Sequence, residues 1–193
     1  LILGASGDLT GRLLLPGLAR LVSRGRTDGL TLVGAGSDAW TPDQWLERIE
    51  ESFADANSQA EAYGRQELKR IRETTSYHQL DVTADGQLAG LLAQLEGPVA
   101  LYFALPPRVS QLACEALAPG EVPAGTRLVM EKPFGSSEES ARHLNETLAA
   151  LVPEDHIHRV DHFLGKATVL NILGLRFANT FLEPVWNREH IEK

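Results

Sequence analysis

Leu1-Ile2-Leu3-Gly4-Ala5-Ser6-Gly7-Asp8-Leu9 opens the chain. The three aliphatic residues read as a buried strand, the two glycines as a sharp turn, and Leu9 as the entry to a helix. That order sets a glycine turn against the unpaired amides and positive dipole end of a helix start, an arrangement that receives a diphosphate. Gly4 suits the tight turn, and Gly7 a close approach of the backbone to the ligand. The spacing is G-x-x-G rather than G-x-G-x-x-G, so a plain strand-to-helix turn is the alternative reading of these residues taken alone.

Working outward, short apolar runs alternate with helical patterns, which predicts a parallel sheet covered by helices. The candidate strands are residues 1–3, 30–34, 77–80, 99–104, 127–130 and 157–160. Helices are expected between them. Residues 13–22 carry leucines at helical spacing, with a short turn before Pro16 and the main helix starting there. Thr41, Pro42 and Gln44 resemble a capping box, which opens a helix to about residue 54 with Trp45, Ile49 and Phe53 on one face. Residues 58–72 read as a polar outer helix, and 87–95, 109–117 and 137–151 as crossovers. The expected fold is α/β: a doubly wound, Rossmann-like, mostly parallel sheet with helices on both faces, truncated before a second α+β domain. Residues 1–166 form the expected dinucleotide-binding domain. Residues 167–193 supply a linking helix over 167–177 and, from Pro184-Val185-Trp186-Asn187 on, a lead-in to that second domain.

Composition narrows the function classes. With 193 residues, 43% of them hydrophobic, the chain can bury a full core. Its 18 basic and 26 acidic residues leave a formal charge of −8, which argues against nucleic acid and anionic membrane surfaces. Any phosphate must therefore be caught by local groups. A single cysteine, Cys114, excludes an intrachain disulfide framework and points to the cytoplasm. No apolar run reaches the roughly 20 residues that span a bilayer, and no signal peptide is expected. The chain starts inside a strand, so upstream residues are expected to be missing.

Four further stretches carry chemistry. At the end of the second strand, Ser37 and Asp38 are placed to meet a ribose hydroxyl, with a simple turn role for Asp38 as the alternative. Neither offers a cation for a 2′-phosphate, and Arg12 beyond the glycine loop is the candidate for that task. Tyr102, Ala104 and Pro106 belong to Tyr102-Phe103-Ala104-Leu105-Pro106-Pro107, which ends the fourth strand on the crevice edge. This stretch is also readable as a strand stop. Glu131-Lys132-Pro133-Phe134-Gly135 repeats the geometry after the fifth strand, where Pro133 restricts the backbone of Lys132 and aims its charge. Asp161-His162-Phe163-Leu164-Gly165-Lys166 crowds an acid, an imidazole and an ammonium around one glycine. An acid there can orient or accept a proton while His162 and Lys166 hold a phosphate.

In this order the motifs resemble the amino-terminal part of the glucose-6-phosphate dehydrogenase family. Similarity continues through Leu175-Arg176-Phe177-Ala178-Asn179 and Glu183-Pro184-Val185-Trp186-Asn187-Arg188, and Asp-His-x-Leu-Gly-Lys is its most specific part. The resemblance implies hydride transfer from carbon 1 of glucose 6-phosphate to NADP, or NAD, giving 6-phosphoglucono-1,5-lactone at the entry of the pentose phosphate pathway. It implies substrate binding by His162, Lys166 and Lys132, and catalytic roles for Lys132 and for Asp161, which supports a general-base histidine. Cofactor contacts fall on Gly4, Ala5, Ser6, Gly7, Asp8, Leu9, Arg12, Ser37, Asp38, Tyr102, Ala104, Pro106 and Lys132. The base histidine is expected beyond residue 193, so the isolated chain is expected not to turn over, and the full-length protein to be a homo-oligomer. Two positions depart from the family. Phe163 replaces a usual tyrosine, removing one hydroxyl from the phosphate site. Ser37 replaces the usual arginine for the cofactor 2′-phosphate, which points to relaxed cofactor preference.

Three rival readings remain at this level. His156, His158 and His162 alternate along a strand and offer a metal-ligand pattern, although no metal is the expectation. A glucose-fructose-oxidoreductase-type enzyme also joins a Rossmann domain to a Glu-Lys-Pro motif, but it gives no reason for Asp-His-x-Leu-Gly-Lys. A non-catalytic nucleotide-binding module fits if the chain ends naturally at Lys193.

Overall fold

The strands are β1 (Ile2–Leu3), β2 (Val33–Gly36), β3 (Ser76–Gln79), β4 (Ala100–Phe103), β5 (Arg127–Glu131) and β6 (Ile157–Val160). They form one sheet in the order β3-β2-β1-β4-β5-β6. The structure is a computed structural model that describes all residues except Arg26, Asp28 and Lys193, and only the backbone of His162. The pairings β1–β2, β1–β4, β2–β3 and β4–β5 are all parallel, with Ile2 opposite Gly34 and Tyr102. Strand order therefore runs outward in both directions from β1, as in a doubly wound dinucleotide-binding fold.

Side-chain alternation along β1 creates two cores. Ile2 faces a cluster with Leu15, Ala19 and Val22 of α1 (Leu15–Ser23), Trp45, Ile49 and Phe53 of α2 (Pro42–Gln59), and Leu68 and Ile71 of α3 (Ala62–Thr74). Leu3 faces the other side. There it joins Leu88, Leu91 and Leu92 of α4 (Gln87–Leu92), Ala113 and Cys114 of α5 (Pro107–Glu115), and Leu144 and Leu148 of α6 (Glu138–Leu151). Successive residues of a strand point to opposite faces, so one dipeptide anchors both layers of helices.

The first helix begins earlier than Pro16. Helical backbone starts at Asp8, passes through a π turn over Thr10–Leu14, and becomes α1, whose first turn holds the proline. The Thr41 capping box is present in both directions: the Gln44 amide donates to Thr41 Oγ1 at 3.2 Å, and the Thr41 amide to Gln44 Oε1 at 2.9 Å. That helix runs to Gln59, five residues past the expected end. The predicted outer helix over 58–72 instead spans Ala62–Thr74 and is not wholly external. Gly64, Leu68 and Ile71 recur every three to four residues and bury one stripe. The second strand also sits later than expected, at Val33–Gly36, because Gly34 and Gly36 pair within the sheet rather than ending it. Ser137 caps α6 through a second capping box, made with Ser140.

Contacts divide the chain into Leu1–Arg159 and Val160–Lys193. In the second unit a 3-10 turn, His162–Gly165, precedes α7 (Ala167–Phe177). Leu170, Ile172, Leu173, Leu175 and Phe177 on this helix are all about half exposed. Among the described residues no helix is long and apolar enough to cross a membrane.

Candidate functional site

Because the paired strands are parallel, the residues that follow β1, β2, β4 and β5 lie along one edge of the sheet. Neighbouring β1 and β4 lead in opposite directions, and ligands of such sheets bind in the crevice that opens there. Gly4 occupies that point. It has φ +80°, and a Cβ on it would lie 2.2 Å from the carbonyl oxygen of Ala104, so any side chain would collide with the end of β4. The turn is fixed by the Gly4 and Ala5 amides, which donate to the Ala35 carbonyl at 2.8 and 3.0 Å, and by the Gly7 amide, which donates to the Gly4 carbonyl at 3.0 Å. Buried Thr10 closes the loop from the helix side, its hydroxyl donating to the same Gly4 carbonyl at 2.9 Å. Among the described residues the amides of Ser6, Asp8 and Leu9 meet no backbone acceptor. They stand at the helix start, ready for an anion. The residues present thus fit the pyrophosphate of a dinucleotide. Ala5 is fully buried and shapes the loop from within.

Ser37 and Asp38, both exposed, follow β2. The Asp38 carbonyl accepts bonds from the Trp40 amide at 2.9 Å and from the Tyr77 hydroxyl at 2.8 Å, while the Ser37 carbonyl accepts one from Gln79. Burial pushes the Tyr77 phenol up, the Ser6 hydroxyl opposes this, and the Asp38 charge adds to it. Arg12 is paired at 3.0 Å with Asp8, on an open surface. Two residues here were not singled out by the sequence. Trp40 lies 5.8 Å from the Tyr77 ring, and the Arg48 guanidinium lies 5.1 Å from the Trp40 ring centroid. The available signal was the neutrality of Ser37, which asks for a cation from another element.

Tyr102 and Glu131 meet across β4 and β5, the phenol donating to Glu131 Oε1. Burial first, then that bond and the carboxylate charge, hold the phenol far above its ordinary value. Ala104 continues the edge with its amide on the Leu3 carbonyl at 2.9 Å, and exposed Pro106 caps α5. Half-buried Lys132 follows β5, and its bond to Pro133 is cis.

In the second unit, the Asp161 carboxylate accepts the Phe163 amide at 3.0 Å and so caps the 3-10 turn. The Lys166 ammonium rests 4.1 Å from the centroid of the Phe163 ring, a cation–π contact. The side chain of His162 lies outside the described residues. His156 is not in the strand but in the 3-10 turn before it, and its Nδ1 donates to the Thr126 carbonyl at 3.1 Å. His158 Nε2 lies 3.4 Å from Arg127 Nη1.

Comparison with known proteins decides the family. The family model described as "Glucose-6-phosphate dehydrogenase, NAD binding domain" matches residues 1–171. The chain belongs to the glucose-6-phosphate dehydrogenase family. It is 36% identical to glucose-6-phosphate 1-dehydrogenase of Bacillus subtilis and 33% identical to glucose-6-phosphate 1-dehydrogenase 2 of Mycobacterium tuberculosis, covering 98% and 99% of this chain. It spans 40% of the length of each. A solved glucose-6-phosphate 1-dehydrogenase from Mycobacterium avium shares the fold with a TM-score of 0.73 at 36% identity, over 97% of this chain and 41% of that one. A second solved glucose-6-phosphate dehydrogenase, in complex with its substrate glucose 6-phosphate, gives 0.72 at 30% identity with the same coverage. The glucose-6-phosphate dehydrogenase match supports a nicotinamide dinucleotide as cofactor. It also selects this family over the glucose-fructose-oxidoreductase reading.

Proposed function

We propose that the protein carrying this chain oxidises glucose 6-phosphate to 6-phosphoglucono-1,5-lactone with NADP, or NAD, as hydride acceptor, in the cytoplasm and as a homo-oligomer. The observation that carries this reading is the glycine loop at the point where strand order reverses, in a chain whose first 171 residues match the family's nucleotide domain. The boundary between nucleotide domain and linking segment is read at residue 166.

Each group has a physical task. The Ser6, Asp8 and Leu9 amides receive the diphosphate, and Gly4 lets the loop close against β4. His162 and Lys166 are assigned to the sugar phosphate, the ammonium already steadied by the Phe163 ring. Lys132 is assigned to the sugar near the reacting carbon. Asp161 is assigned to support of the base that takes the hydroxyl proton, an orientation role that its bond to the Phe163 amide makes rigid. The bound nicotinamide supplies a two-electron acceptor for the hydride that leaves carbon 1. The test is a spectrophotometric assay of the full-length protein with glucose 6-phosphate, with glucose, and with no sugar. Reduction of the cofactor that depends on the phosphorylated sugar supports the reading. Equal rates with unphosphorylated glucose, or no reduction, would remove it.

A further inference from the structure

We propose that Arg48, seated on Trp40, is the cation that selects a 2′-phosphorylated nucleotide, replacing the basic residue that Ser37 does not supply. The inference deepens the dinucleotide reading and rests on it. Ser37 and Asp38 directly follow β2, where the adenosine ribose of a bound dinucleotide belongs. The turn itself presents a neutral hydroxyl and a carboxylate, and a phosphate placed there meets only repulsion from Asp38. Arg48 comes from α2 and reaches back. Its guanidinium carbon lies 5.1 Å from the Trp40 ring centroid, and Trp40 in turn leans on Tyr77, whose hydroxyl holds the Asp38 carbonyl.

The other side of the guanidinium meets the glycine-loop helix. A Cβ on Gly11 would lie 2.0 Å from Arg48 Nη1, so the absence of a side chain at Gly11 is what admits the guanidinium there. The Gly11 amide donates to the Gly7 carbonyl at 3.3 Å, which puts this contact one helical turn beyond the diphosphate loop. Arg48 is therefore held between the loop helix and the β2 turn, the two elements that flank the ribose. A planar guanidinium on an aromatic face keeps its edge N–H groups free for a phosphate. Among the described residues no carboxylate pairs with it, whereas Arg12, the other candidate, is already paired with Asp8 at 3.0 Å. The arrangement offers one oriented, uncompensated positive charge where the nearest turn offers none.

The test titrates the full-length protein calorimetrically with 2′,5′-ADP and with 5′-AMP, which differ only in the 2′-phosphate. Wild type is expected to prefer 2′,5′-ADP. Arg48→Ala is expected to reduce the ratio of the two affinities about tenfold or more, the range of a lost charge-assisted bond. Arg48→Lys, which keeps the charge and most of the apolar stem but loses the planar fork, is expected to fall between them. Circular dichroism of each variant checks the fold. A wild-type ratio near one overturns the proposal and hands the turn to Asp38. A ratio that survives Arg48→Ala but collapses in Arg12→Ala overturns it in favour of Arg12. Absence of binding by both nucleotides overturns the dinucleotide reading itself, and the Arg48 assignment with it.

Discussion

Cys114 is buried on the inner face of α5, and burial, with the charge of Glu115 behind it, pushes its thiol from 9.0 up to about 12. The folded state therefore holds this proton more tightly than the unfolded chain does. Its contribution to stability is complete below pH 9 and drains away as pH rises toward 12, at up to about 1.4 kcal/mol per pH unit. Denaturation followed across that window is expected to fall more steeply for wild type than for Cys114→Ala, and parallel curves would contradict the burial argument. At the other end of the chain, Phe163 gives Lys166 a ring but no hydroxyl. Phe163→Tyr keeps the ring and restores a donor, and is expected to tighten glucose 6-phosphate by about tenfold, the scale of one bond to a charged group. Phe163→Leu removes the ring under the ammonium and is expected to weaken binding several-fold, since an exposed cation–π contact is worth about 0.5–1 kcal/mol. Affinities measured calorimetrically on the full-length protein decide both.

Between elements, α1 and α3 approach closely at Gly64. A Cβ on Gly64 would lie 2.5 Å from the Ser23 carbonyl oxygen and 2.8 Å from its Cα, both backbone atoms that cannot swing aside. Gly64→Ala gains about 1 kcal/mol of helix propensity but forces α3 outward, an overpacking cost of about 1–3 kcal/mol. Net destabilisation in urea is the expected result; a more stable variant would show that the two helices are not in contact there. The same helix shows where the sequence stops being legible. Capping at Thr41 and the bounds of β6 could be read directly, because a side-chain cap and a short run that opens and closes on apolar residues before Asp161 are local features. The burial of α3 could not, since it depends on a glycine whose neighbour is forty-one residues earlier. Likewise Leu30 looked like a strand residue, yet strand pairing starts at Val33, where β3 supplies partners.

Across the molecule, the decisive features were those that link chain order to sheet order. The glycine turn after the first strand predicted a crevice, and the order β3-β2-β1-β4-β5-β6 places Gly4 against Ala104 at its mouth. The phosphate-loop half of the candidate site was legible because consecutive residues build it. Arg48 was not, because it reaches Trp40 and the β2 turn only after α2 has packed on the sheet. Hydrogen–deuterium exchange of the chain with and without saturating NADP tests the central claim most directly. The account predicts slowed exchange in the peptides covering residues 4–12, 36–40 and 104–107, all on the carboxyl edge of the sheet. Slowing confined to the opposite edge, around Leu1, Thr31 and Ala100, or no slowing at any peptide, would contradict it.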